Sequence, residues 1–234
     1  MSGIMTAADE GMRIAEGIYG YEVEGQARAS EVWRMTRLGD ERVHVQALLR
    51  TEQRIIYGMD LTLDAQGQPE TLTARMEQQG EVRASFSFVE GTVQGQIQRP
   101  QGGTPVHLNL PAGAVLFPAS IAMRMLIGRA LHLETDAEQP LTLCVIPVLD
   151  VAAQPLMPHL VGAQASVLGP ETVDLLMAET PATRVLIEWP NHPPQHAWFD
   201  GHRFPVQWCW VSHEADGGSI SHEFSLTRYA WHAT

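Results

Sequence analysis

The feature that most constrains the fold is a regular series of short strand-like segments separated by glycine turns. Gly67, Gly80, Gly91 and Gly102 follow one another at intervals of 13, 11 and 11 residues. This is the spacing of short strands joined by tight turns. In residues 82–88 the apolar side chains occupy every second position, which is typical of a strand with one buried face. The first half of the chain therefore predicts a meander of antiparallel strands.

Twelve strand-like segments are predicted, six on each side of one helix. They are residues 29–38, 42–50, 54–63, 71–78, 82–89 and 92–99, then 141–149, 160–168, 172–177, 184–189, 206–212 and 220–229. The segment 190–205 contains four prolines and is predicted to be a loop, because proline cannot donate a ladder hydrogen bond. No linker is long enough to divide the chain, so we expect a single β-rich domain over residues 1–234.

The one predicted helix runs from about Pro118 to Leu131, between the two groups of strands. Pro118 suits the first helical position, where its missing N–H would have no partner in any case. A narrow polar stripe at steps of four residues, from Ser120 to His132, leaves nearly all the other positions apolar. A helix so apolar must be mostly enclosed by the sheet.

Composition and charge exclude several classes of protein. Apolar residues make up 44% of the chain and charged residues 18%, which is ample for a packed core. The formal net charge is −12, which argues against binding to nucleic acid or to anionic membrane surfaces. No segment approaches ~18 consecutive apolar residues, so no membrane span is expected. Residues 1–17 lack the apolar stretch of a signal peptide, so we expect a cytoplasmic location.

The most unusual region is the last 46 residues, which hold five of the six tryptophans and six of the ten histidines. Trp208 and Trp210 lie in a predicted hairpin with a glycine-rich turn. With Glu214 placed opposite Ser219, the two tryptophans share one face of the hairpin and His222 lies on the other. Both faces then carry large apolar groups, so both are expected to be at least partly covered.

No group of residues in the sequence forms a recognisable catalytic site. The motifs HExxH, GxSxG and GxGxxG are absent. Adjacent pairs such as His213–Glu214 place base and acid on opposite faces of a strand, where they cannot act together. Cys144 and Cys209 fall in apolar runs and are expected to be buried free thiols. We predict no catalytic residue, no metal ligand and no cofactor, with a metal- or histidine-dependent enzyme left open as an alternative.

Short segments of the chain resemble uncharacterised bacterial β-proteins related to the outer-membrane lipoprotein carriers. The matching segments are residues 63–69, 110–113, 117–118, 198–206, 217–218 and 224–227. The resemblance implies a mainly β fold: a strongly curved, open antiparallel sheet (a half-barrel or spiral β-roll) with one central helix on its concave side. Glycolipid-binding proteins share that general architecture. The resemblance transfers no catalytic residue to this chain.

These features predict a protein that binds an apolar ligand, such as a lipid or glycolipid, in a concave pocket between sheet and helix. The residues predicted to line this pocket are Trp198, Trp208, Trp210 and Met125, with Arg124 as an anion contact for a head group. A homo-oligomeric scaffold whose exposed aromatic side chains form a homodimer face stays open as a second alternative. The expected partners are an apolar small molecule or a second copy of the chain, and not nucleic acid.

Overall fold

The computed structural model describes residues 11–77, 80–148, 154–176, 178–213 and 217–232, and these form one curved, open sheet of 15 strands. The strands are β1 (Met12–Val23), β2 (Gln26–Arg37), β3 (Val43–Arg50), β4 (Ile55–Leu63), β5 (Pro69–Glu77), β6 (Glu81–Val89), β7 (Thr92–Arg99), β8 (Gly102–Asn109), β9 (Val115–Pro118), β10 (Glu138–Ile146), β11 (His159–Leu175), β12 (Ala178–Glu188), β13 (Gln195–Phe199), β14 (Pro205–His213) and β15 (Ser219–Trp231). A 3-10 turn (Ala122–Arg124) leads into the helix α1 (Met125–Ala130).

The sheet consists of two meanders joined by the first and last strands of the chain. Strands β1 to β8 lie in sequence order on one side, and β15 back to β9 lie on the other. β1 and β15 pair in antiparallel orientation, from Ala15 opposite Trp231 to Val23 opposite His222. β8 and β9 are the two edge strands, and the short segment between them connects opposite edges of the sheet. The predicted mainly β fold with an open, curved sheet is confirmed.

The predicted strands of the first half are confirmed to within a few residues, but two strands were missed. β1 precedes the first predicted strand, and β8 begins at the glycine pair that was assigned to a turn. β1 carries Arg13, Glu16 and Glu22 among its apolar residues, which weakens its alternating pattern. Some positions used in the prediction lie outside the described residues. They are residues 1–10, the strand ends Gln78, Leu149 and Met177, and Glu214, which was placed opposite Ser219.

The second half differs from the prediction in two places. The predicted strands 160–168 and 172–177 belong to one long strand, β11, which passes through an irregularity in its pairing near Gly169. The predicted loop 190–205 contains β13, a strand of five residues paired on both sides. The prolines at 193 and 194 precede this strand and do not interrupt it, which is why the proline content misled the prediction.

The predicted helix is shorter than expected, because its first residue, Pro118, belongs to a strand and residues 119–121 are not helical. Pro118 ends β9, which pairs in parallel with β10 up to Ile146. Helical structure begins only at Ala122 and ends at Ala130. Residues 121–128 are all buried, so the expectation that the sheet encloses this segment is confirmed. We call the face of the sheet that packs against this segment the inner face, and the opposite one the outer face.

The predicted register of the C-terminal hairpin is wrong by one residue. His213 lies opposite Ser219, which places Trp208 opposite Phe224 and Trp210 opposite His222. A shift of one residue moves every side chain of a strand relative to its partners. The two tryptophans therefore share the inner face with His222, rather than lying on the opposite face from it. Both cysteines are free, Cys144 buried and Cys209 partly buried.

Within the described parts of the chain, no helix is both long and apolar enough to cross a membrane.

Candidate functional site

A buried carboxylate joins the sheet to the start of the helical segment. Glu31 on β2 is fully buried. Its Oε1 accepts hydrogen bonds from the Ser120 hydroxyl (3.1 Å) and the Ala122 N–H (3.0 Å). Its Oε2 accepts them from the Ile121 N–H (3.2 Å) and the Tyr57 hydroxyl. Burial raises the pKa of Glu31, and the four donated hydrogen bonds oppose that shift.

Arg124 lies beside this junction, between two aromatic rings. Its guanidinium carbon is 4.4 Å from the ring centroid of Phe117 and 4.6 Å from that of Trp208. Its Nε donates to the Pro118 carbonyl at 3.3 Å, but its Nη1 is buried without a hydrogen-bond partner among the described residues. Burial lowers the pKa of Arg124 to about 10, so it stays charged at neutral pH. A buried donor without a protein partner points to a water or ligand.

Three of the predicted site residues are brought together here. Trp208 is fully buried and donates from Nε1 to the Gln195 Oε1 at 2.7 Å. Its ring contacts the Arg124 guanidinium. Met125, which follows Arg124 in the chain, is also buried. These three side chains belong to the packed layer between sheet and helix and are closed to solvent.

Trp210, a fourth predicted residue, lies in a stack of four rings across β14, β15 and β1. This aromatic stack consists of Trp210, His222, Tyr21 and Phe224. The Trp210 and His222 rings lie 4.8 Å apart at an interplanar angle of 6°, and the Tyr21 and Phe224 rings lie 4.4 Å apart at 20°. Phe224 is buried, while the other three side chains are partly exposed. The stack therefore presents an aromatic surface at the end of the inner face where β1 ends and β15 begins.

Hydrogen bonds fix the imidazole within the stack. The Tyr21 hydroxyl lies 2.8 Å from the His222 Nδ1, and the Ser212 hydroxyl lies 2.8 Å from the His222 Nε2. Burial lowers the pKa of His222, which favours the neutral imidazole at pH 7. A neutral ring donates at one nitrogen and accepts at the other, so the two hydroxyls satisfy both. This arrangement holds the ring parallel to Trp210.

Trp198, the fifth predicted residue, is not part of this group. It lies on the outer face, opposite Arg184 and Gln207 in the neighbouring strands. Its Nε1 donates to the Glu171 Oε2 at 2.9 Å, and the Arg184 guanidinium lies 5.1 Å from its ring centroid. Alternation along β13 and β14 separates Trp198 from Trp208, because cross-strand partners share a face and Trp208 faces Ala197.

A cleft that no sequence pattern predicted lies at the rim of the sheet. It lies between the first residues of β2 and the turn after β3 and has a volume of about 940 Å³. Its lining residues are Ala27, Arg28, Ala29, Ser30, Arg50, Thr51, Glu52, Gln53 and Arg54. Ala29 is the cross-strand partner of Tyr21 on the inner face, whereas Ser30 and Arg50 pair with each other on the outer face. Arg28 and Arg50 are far apart in sequence, and only the pairing of β2 with β3 brings their segments together.

The histidines of the C-terminal region have separate surroundings. His192 packs against Trp189, His196 lies near Arg184, His202 packs against Trp231, and His222 belongs to the stack. In the part of the chain that the structure describes, no three histidine, cysteine, aspartate or glutamate side chains are grouped so that they could hold a metal ion. The described geometry therefore offers no support for the metal-dependent alternative.

Comparison with known proteins identifies a similar fold and no family. No protein-family model matches the sequence, and no curated protein matches it. The structure is similar to the crystal structure of a β-barrel-like protein of a domain of unknown function, DUF1849, from Brucella abortus. The sequences are 13% identical, the match covers 95% of this chain and 99% of that one, and the TM-score is 0.51. This likeness shows the fold alone.

A weaker match is the crystal structure of MucB in complex with MucA(peri), at 8% identity and a TM-score of 0.22. It covers 96% of this chain and 95% of that one. A TM-score so low carries no inference about this protein. The chain thus shares its fold with a bacterial β-barrel-like protein whose function the comparison leaves open.

Proposed function

We propose that this protein is a non-catalytic binder of an apolar ligand, such as a lipid or glycolipid, which lies on the inner face at the aromatic stack. The observation that carries the proposal is the stack itself. Three of its four near-parallel rings are partly exposed on the inner face. Binding sites for small molecules are concave and mostly apolar, with a few polar groups that orient the ligand. The His222 imidazole and the two hydroxyls bonded to it are such groups.

The predicted residues closer to the helix form the buried layer next to this surface. Trp208 lies opposite Phe224, whose ring stacks on Tyr21. Arg124 contacts Trp208 and keeps one unpaired donor. In this proposal an apolar chain packs first on Trp210 and Tyr21, and Trp208, Met125 and Arg124 support that surface from below.

The architecture is consistent with the resemblance seen in the sequence. An open, curved sheet with a helix against one face is what the resemblance to the lipoprotein-carrier-like β-proteins implies. That resemblance supports a lipid as the ligand class.

A pair of tryptophan variants tests the proposal. We expect Trp210→Ala to weaken the affinity for the neutral dye Nile red roughly tenfold, because it removes a large contact surface. The affinity for dodecanol, measured by displacement of Nile red, should fall by a similar factor. The measurement is fluorescence titration. Trp231→Ala and Trp198→Ala are the controls, because Trp231 lies outside the stack and Trp198 lies on the outer face. Far-UV circular dichroism verifies that each variant is folded. Equal affinities for Trp210→Ala and the wild type would contradict the proposed site.

A further inference from the structure

We infer that the ligand carries a planar aromatic ring, which stacks on the free face of Tyr21 above Ala29 and extends the aromatic stack by one ring. The inference rests on the proposed function and names the class of ligand. It follows from the order of the rings in the stack, the size of the side chain beside Tyr21, and the way the sheet opens at that point.

The strand order leaves uncovered ring faces only at the two ends of the stack. β15 lies between β14 and β1, so its rings, His222 and Phe224, lie between Trp210 on one side and Tyr21 on the other. The His222 ring centroid is 4.8 Å from that of Trp210 and 6.3 Å from that of Tyr21. The Phe224 centroid is 6.2 Å and 4.4 Å from the same two rings, and all four pairs are stacked. Only Trp210 and Tyr21 therefore have a face that no ring of the stack covers.

The two end rings have neighbours of different size. Beside Trp210, the cross-strand partner on β13 is Gln195, a buried side chain whose Oε1 accepts from the Trp208 Nε1. Beside Tyr21, the partner on β2 is Ala29, whose side chain is a single methyl group. Every described ring that stacks on Tyr21 comes from β14 or β15, and none from the β2 side. Adjacent strands are ~4.8 Å apart, which leaves room for one more stacked ring above Ala29.

The sheet opens next to Ala29. In the described ladder of β2 with β3 the last pair is Ser30 with Arg50, so Ala29 has no paired residue on that side. The pairing of β1 with β2 also shifts register directly after Tyr21. Irregularities of this kind occur next to functional sites, where they change the direction of nearby side chains. Tyr21 and Ala29 are both partly exposed, so a ligand can reach them from solution.

The start of the helical segment bounds this position on its interior side. Glu31 follows Ala29 by two residues on β2, so both lie on the inner face. Glu31 binds the Ser120 hydroxyl and the Ile121 N–H, which places the helical segment over the sheet at that point. A ligand ring here has Tyr21 at its side, Ala29 below it and the helical segment at its inner end. Such a position is open towards the rim and admits a flat group edgewise.

Stacking favours an aromatic ring over a saturated ring of the same size. Offset-stacked aromatic rings interact through their π-systems in addition to the apolar area that they bury. A cyclohexane ring is puckered, so fewer of its atoms come into contact with the flat face of Tyr21. An alkyl chain attached to the ring lies along the rest of the stack.

Two neutral alcohols of equal carbon number test the inference: 6-phenylhexanol, whose ring is planar, and 6-cyclohexylhexanol, whose ring is puckered. We expect the wild type to bind 6-phenylhexanol roughly threefold to tenfold more tightly, although its ring is the less hydrophobic of the two. The measurement is displacement of Nile red. The ratio of the two affinities is taken within each variant, so that the affinity for the dye cancels.

Substitutions on both sides of the position locate the ring. Ala29→Leu places a branched side chain on the Tyr21 face and should lower the affinity ratio to about one. Tyr21→Leu removes the ring and should have the same effect, whereas Tyr21→Phe should keep the preference. The matched control is Ala27→Leu, the same substitution opposite Glu22 on the outer face, which should also keep it. Far-UV circular dichroism verifies that each variant is folded.

The outcomes separate this inference from the proposed function. If the wild type binds the two alcohols equally, the inference is overturned and the apolar binding site stands. The same holds if Ala29→Leu and Tyr21→Leu keep the preference, because the ring then binds elsewhere. If Nile red does not bind, or if neither alcohol displaces it, the proposed function fails as well.

Discussion

Each carboxylate oxygen of Glu31 accepts two hydrogen bonds from the protein. Two of the donors are the backbone N–H groups of Ile121 and Ala122, at the point where the chain turns into its helical segment. The first N–H groups of a helix have no partner within the helix. Glu31, reaching from β2, supplies partners for them and thereby fixes the segment against the inner face.

Glu31→Gln tests this at the scale of a single residue. The substitution replaces one acceptor oxygen by an NH₂ group, which then faces two donors. We expect the free energy of unfolding to fall by about 2–4 kcal/mol, measured by urea denaturation. Glu22→Gln on β1 is the control, because Glu22 is exposed. A change below about 0.5 kcal/mol for Glu31→Gln, similar to ordinary surface substitutions, would show that the carboxylate is not needed here.

At the scale of elements, α1 is held by a close backbone approach. A Cβ atom at Gly128 would lie 2.4 Å from the Arg203 carbonyl oxygen and 2.6 Å from the Phe199 ring. Arg203 also donates from Nη1 to the Leu131 carbonyl at 3.0 Å, just after the helix ends. The segment between β13 and β14 therefore holds the helix from its C-terminal side, while Glu31 holds it from the other.

Gly128→Ala should destabilise the protein even though alanine favours helix formation. Alanine gains roughly 1 kcal/mol in helix propensity over glycine. The clash with backbone forces the helix away from the sheet, and we expect a net loss of about 1–3 kcal/mol. The matched control is Gly162→Ala on β11, where no atom lies within 4 Å of the new Cβ. An unchanged midpoint for Gly128→Ala in thermal denaturation would contradict the close packing.

At the scale of the whole molecule, the two meanders depend on each other through β1 and β15. These strands come from opposite ends of the described chain, and their pairing places both in the middle of the sheet. The hydrophobic core extends across the pair, from Ile97 on β7 to Val167 on β11. The described residues form one continuous core across both meanders, so both should unfold together.

A buried thiol reports whether this cooperativity exists. Cys144 on β10 is buried, and burial raises its pKa to about 12, so it should resist thiol reagents at pH 8 while the protein is folded. In a Cys209→Ala background, we expect Cys144 labelling and loss of far-UV circular dichroism to share one urea midpoint. Labelling of Cys144 well before the main transition would show that the second meander opens by itself.

The elements that were predicted correctly are those whose signals are local. The alternation in residues 82–88 and the glycine turns predicted β6 and β7 almost to the residue. The apolar segment after Ser120 was correctly predicted to be buried. Such patterns depend on the two-residue period of a strand and on turn geometry, which neighbouring residues specify without any distant partner.

Which side chains share a face, and which segments meet, depends on the folded chain. The one-residue error at the hairpin separated Trp210 from His222, and the residues that line the rim cleft come together only through the pairing of β2 with β3. Trp198 looked equivalent to Trp208 in sequence but lies on the outer face. The physical reason is that register and strand order depend on contacts between distant residues, such as Ala15 with Trp231, whose energies appear in no local pattern.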